Sequence, residues 1–127
     1  MDNWLVRHLT ATPNGPLALE HVERATQFLR QKCLIGFSDY RDKGVFAKTL
    51  KRFHQYLKLT MIRPGCIEHH VTRPPKNHHE HPVDFNVLSE GSPEWNALAT
   101  LNQYDLLLYR NAEQIYREQG RLLGDED

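Results

Sequence analysis

Between Leu19 and Lys32 the apolar residues Val22, Ala25 and Leu29 recur three and four positions apart, with Glu20, Glu23, Arg24 and Arg30 at other positions. This is the spacing of one buried helical face, and Pro13 and Pro16 mark where the preceding chain cannot be helical. The pattern then changes to a continuous apolar run, Cys33-Leu34-Ile35-Gly36-Phe37, bounded by Ser38 and Asp39. Such a run predicts a strand buried on both faces, as in a parallel sheet. From about Asp42 to Leu57, Phe46, Leu50, Phe53 and Leu57 return at four, three and four residues, which predicts a second amphipathic helix. Lys48, Lys51, Arg52 and Lys58 occupy its other positions and give it a basic outer side.

Residues 60–92 show no sustained period and hold Pro64, Pro74, Pro75 and Pro82 with Gly65 and Gly91, which reads as one long loop. From Pro93, at a first-turn position, Leu98, Leu101, Leu108, Ala112 and Ile115 predict a single long helix ending near Gly120. An acidic tail over 121–127 closes the chain with Gly124-Asp125-Glu126-Asp127.

Helix followed by strand implies an α/β layer, and the expected fold is a helix-rich α/β domain spanning residues 1–127. It has one or two strands, three main helices and the long Pro/His-rich loop. A lone strand cannot satisfy its own backbone groups. The sheet is therefore expected to be completed by amino-terminal sequence outside this chain, by a second copy, or by a hairpin partner near Trp4 to Leu9.

Composition changes this picture little. A chain of 127 residues has room for one modest core. With 16 Lys and Arg against 16 Asp and Glu, no overall field draws it to nucleic acid or an anionic membrane, although a local basic face stays open. Two cysteines, Cys33 and Cys66, are too few for a disulfide scaffold and are expected as thiols. No apolar run approaches the roughly 20 residues of a membrane span, and Met1-Asp2-Asn3-Trp4 has no signal-peptide character, so the chain is expected to be soluble.

The candidate chemistry is concentrated in the long loop. Five of the eight histidines lie between Glu68 and His81. His79 with His81, or His69 with Cys66, are zinc-ligand types, but no Cys-x-x-Cys or His-Glu-x-x-His spacing occurs and no metal is expected. Arg73, Lys76 and His78 on the same proline-stiffened loop are three donors suited to phosphate or sulfate, and equally to a solvated polar loop. Asp105 and Tyr109 lie four apart on one helix face. A structural role is expected for both, with the Tyr109 ring buried and Asp105 bonded to a neighbouring backbone or basic group. His21 and His54 are expected at the surface. No Gly-x-x-x-x-Gly-Lys-Ser/Thr, Gly-x-Ser-x-Gly or Gly-x-Gly-x-x-Gly occurs, so the chain shows neither a nucleophile nor a phosphate cradle.

In order and spacing, three stretches resemble the late part of the carbohydrate sulfotransferases of the heparan sulfate 2-O type. They are Leu19-Glu20-His21-Val22-Glu23-Arg24-Ala25 leading to Cys33-Leu34-Ile35-Gly36-Phe37, then Phe46-Ala47-Lys48-Thr49-Leu50, and finally Asn102-Gln103-Tyr104-Asp105 continuing to Leu108-Tyr109 and Ala112. In that family a Leu-Glu-x-Ala helix leads into a strand, and an Asn-x-x-Asp-x-x-Leu-Tyr-x-x-Ala helix closes the domain. Ser38-Asp39 stands here for the usual Thr-Glu, and Ala18 for a capping Thr or Ser. The resemblance implies the carboxy-terminal portion of an α/β, P-loop-like fold. It implies 3′-phosphoadenosine 5′-phosphosulfate as co-substrate, a saccharide hydroxyl as acceptor, and a Golgi-lumen setting if the parent is a eukaryotic type II membrane protein. It assigns nucleotide contacts to Arg73, Lys76 and His78, and no catalytic residue to this chain. A non-catalytic interaction or assembly module and a His-rich metal-binding protein are the other readings, and no nucleic-acid partner is expected.

Overall fold

The computed structural model describes residues 2–38, 43–59, 65 and 88–124. Among them the chain forms five helices: α1 (Trp4–Thr10), α2 (Leu19–Lys32), α3 (Lys43–Tyr56), α4 (Pro93–Leu101) and α5 (Gln103–Leu122). No strand is present among the described residues, so the expected α/β layer is overturned there. Two compact units result, one built from Met1–Cys33 with Val83–Ile115 and the other from Leu34–Pro82 with Tyr116–Asp127. The last helix contributes its first turns to one and its final turns to the other.

In the first unit α1 packs on α2. Val6, Val22, Ala25 and Leu108 are buried together, with Leu9, Leu17, Leu29, Tyr104 and Leu107 packed around them. Val22 and Ala25 are thus the inward stripe that the three-and-four spacing predicts, and α2 has the bounds the sequence indicates. Its start is unusual because Ala18 has no side-chain oxygen to cap with. His21 Nδ1 instead accepts the Ala18 backbone N–H at 3.0 Å, so one half of a capping box survives.

The expected single helix from Pro93 is two helices, joined at Asn102, whose φ of −113° and ψ of 27° leave the helical range. Its side chain explains the break. The Asn102 amide donates back to the Leu98 carbonyl at 3.0 Å while its oxygen accepts the Asn3 N–H at 3.0 Å, so the residue is held by bonds that compete with the helical ladder. Ser92 caps α4 by accepting from Trp95 N, with Pro93 in the first turn as expected.

In the second unit the run from Leu34 to Phe37 is extended but pairs with no strand. Its alternate amides are taken by helix side chains: Ile35 N–H donates to Gln119 Oε1 at 2.9 Å, and Phe37 N–H to Thr49 Oγ1 at 3.1 Å. The apolar run has the two-residue period of a strand, but side chains on α3 and α5 supply the acceptors a neighbouring strand would have provided.

Candidate functional site

The densest polar construction in the first unit joins the starts of α1 and α5. Asn3, 3% exposed, takes the left-handed conformation at φ 45°, which asparagine tolerates better than most residues. Its side-chain oxygen accepts from Tyr104 N at 2.9 Å and Asp105 N at 3.2 Å, two of the amides at the start of α5 that have no partner within the helix. Its amide donates to the Leu101 carbonyl at 2.8 Å. In return the Asp105 carboxylate accepts from Leu5 N at 2.9 Å and Val6 N at 2.8 Å, the corresponding amides of α1. Each helix is therefore capped by a residue about a hundred positions away in sequence. One carboxylate also sits at two helix amino-termini, where its charge is favourable.

Beside this clamp Arg7 gathers the chain around α1. Its guanidinium pairs with Asp2 at 3.0 Å and donates to the carbonyls of Asp2 and Gly15, each at 3.1 Å. The Arg7 bond, helped by the Asn3 amide, holds the Asp2 carboxyl below its ordinary range.

The second unit is organised around Tyr116. Phe37 meets its ring edge to face at 5.1 Å, and the Arg52 guanidinium lies 3.7 Å from the ring centroid while donating to the Tyr116 carbonyl at 2.7 Å. A chain of hydrogen bonds runs from Phe37 N–H to Thr49 Oγ1, from the Thr49 hydroxyl to Tyr116 and from the Tyr116 hydroxyl to the Val45 carbonyl. Arg52 is 3% exposed, so it belongs to the interior and not to the basic outer side that the helical pattern gave it. Gly120 makes room for it: a methyl there would overlap the guanidinium.

A shallow groove of about 260 Å³ on the first unit is lined by Trp95, Leu98, Ala99, Asn102 and Leu106. It is smaller than the usual small-molecule site and has a single polar side chain.

These arrangements use their polar groups to hold structure. Both Asp105 oxygens accept backbone amides, which agrees with the backbone-bonded role expected of it. Tyr109 is 53% exposed, which corrects the expectation that its ring is buried. His21 has a role the sequence did not reveal, as the acceptor at the start of α2. Arg73, Lys76 and His78, the expected phosphate contacts, lie outside the described residues, as do Cys66, His69, His79 and His81. Among the described residues no three His, Cys, Asp or Glu side chains are grouped to hold a metal, and no helix is long and apolar enough to cross a membrane. No family model matches the chain, and no curated protein or solved structure matches it.

Proposed function

We propose that the chain is a carboxy-terminal helical portion of a carbohydrate sulfotransferase, whose parent transfers a sulfuryl group from 3′-phosphoadenosine 5′-phosphosulfate to a saccharide hydroxyl. The observation that supports this most is the use made of the closing motif. Asn102 and Asp105, the two polar members of Asn-x-x-Asp, both bond the segment that begins at Asn3, so their spacing meets a geometric demand and is more than an apolar repeat. The proposal concerns this helical portion and requires no sheet within the described residues. Its role in the parent is to brace the domain, and the chain by itself performs no transfer. By resemblance, Arg73, Lys76 and His78 contact the nucleotide's phosphates.

Sulfuryl transfer depends on positioning and on stabilising charge that develops on the transferred group, so activity requires a cradle for the donor. The test is to produce the protein together with whatever coding sequence lies upstream of Met1 and assay desulfated heparan by mass spectrometry with the donor nucleotide present. Donor-dependent addition of sulfate is the expected result. No addition, with the protein folded, contradicts the reading. An interaction module would instead give a higher-mass complex without nucleotide, and a His-rich metal protein a zinc-dependent rise in melting temperature.

A further inference from the structure

The neutral total charge conceals an uneven distribution. The second unit has eleven Lys and Arg against eight Asp and Glu over its sequence, including the acidic Asp125-Glu126-Asp127, whereas the first has five against eight. Within the second unit the ends of α3 and α5 are adjacent, because Gln55 Nε2 donates to the Leu123 carbonyl at 3.0 Å. Both ends expose large apolar side chains: Tyr56 is 61% exposed, Leu57 58% and Leu122 87%. Lys51, Lys58 and Arg121 are exposed among them.

The end of α3 is also conformationally specified. Lys58 N–H bonds the Gln55 carbonyl and Leu59 N–H the His54 carbonyl, the paired bonds of a Schellman ending, with Lys58 at φ 50° where glycine is usual. This fixed turn presents Leu57 and Lys58 together at the surface. Leu59, which such an ending commonly buries against the last turn, remains 47% exposed.

We propose that these two helix ends form a docking surface for an anionic lipid membrane. Tyr56, Leu57 and Leu122 enter the boundary between headgroups and acyl chains, and Lys51, Lys58 and Arg121 meet the headgroups. The mixture of side chains selects this occupant. Nucleic acid would use the cations and the tyrosine ring but leave the leucines in water. A headgroup layer takes aliphatic side chains, a tyrosine with its hydroxyl at the polar level and basic residues at once. Binding of this kind is peripheral and requires no spanning helix. The inference rests on the second unit alone and is independent of the sulfotransferase reading.

The test is co-sedimentation of the full chain with vesicles of phosphatidylcholine and of phosphatidylcholine mixed with phosphatidylserine. Binding is expected to the second kind only. Lys58→Gln and Arg121→Gln should each weaken it about fivefold, the effect of one basic residue near such a surface. The pair Leu57→Ser and Leu122→Ser should abolish it with the melting temperature unchanged, since both side chains face solvent. The proposal is overturned if the chain ignores phosphatidylserine vesicles or if the serine pair binds as well as the parent. Displacement of the vesicles by single-stranded RNA at low concentration would equally overturn it, by identifying a general polyanion site.

Discussion

Asn3 and Asp105 cap each other's helices, with the Asn3 side-chain oxygen 2.9 Å from the Tyr104 amide and the Asp105 carboxylate 2.8 Å from the Val6 amide. Removing either member should therefore destabilise two helix starts at once. Asn3→Ala and Asp105→Ala are each expected to cost about 2 kcal/mol, as lost caps with charged or buried bonds do. Because both changes damage one network, the double variant should cost about 1 kcal/mol less than their sum in urea unfolding. Strict additivity would show that the two caps act separately.

Ala11 and Lys58 end their helices at φ 53° and 50°, a conformation that carries a steric penalty for any residue with a β-carbon. Replacing either with glycine is expected to stabilise the protein by about 1 kcal/mol. Thermal unfolding of the single variants checks this, and a loss of stability at both positions would refute the reading of those turns.

Gly120 should not tolerate alanine, even though alanine is the better helix former by about 1 kcal/mol. The added methyl overlaps the Arg52 guanidinium, and moving that group breaks its 2.7 Å bond to the Tyr116 carbonyl and its stacking on the ring. A net loss of about 1 to 2 kcal/mol is expected. Chemical unfolding measures it, and a stabilised Gly120→Ala variant would show that Arg52 relocates freely.

The bond from Arg7 and the smaller one from Asn3 lower the Asp2 carboxyl from its ordinary value of 3.8. A carboxyl depressed in the folded state favours folding above its unfolded value and loses that contribution as pH falls through the folded one. The Asp2–Arg7 pair should therefore hold at neutral pH and release only below about pH 4, followed by the chemical shift of the Asp2 carboxyl carbon. In Arg7→Met the titration should move upward toward the ordinary value; an unmoved midpoint would remove Arg7 as its cause.

What the sequence made legible follows from how local each signal is. The helices α2 and α3 could be read because Val22 and Ala25, and Phe46 and Phe53, repeat within one element. Helix α1 could not, since seven residues carry no sustained period and its capping carboxylate is Asp105. The run at Cys33–Phe37 misled for a related reason. A short apolar stretch leaves its backbone partner unspecified, and here the acceptors are Gln119 and Thr49 side chains. Arg52 was assigned outward because charge normally marks the solvent face, whereas Tyr116 and Gly120 together make room for it inside. At the candidate site, the backbone role of Asp105 was readable from its helix position, but the exposure of Tyr109 was not.

The sulfotransferase proposal is tested most directly by calorimetric titration of adenosine 3′,5′-bisphosphate, the desulfated donor, into protein produced with the coding sequence upstream of Met1. The account predicts saturable binding, tighter than about millimolar, that weakens when Arg73 and Lys76 are both replaced by alanine and becomes less salt-dependent. Absence of nucleotide binding by that folded protein would contradict it.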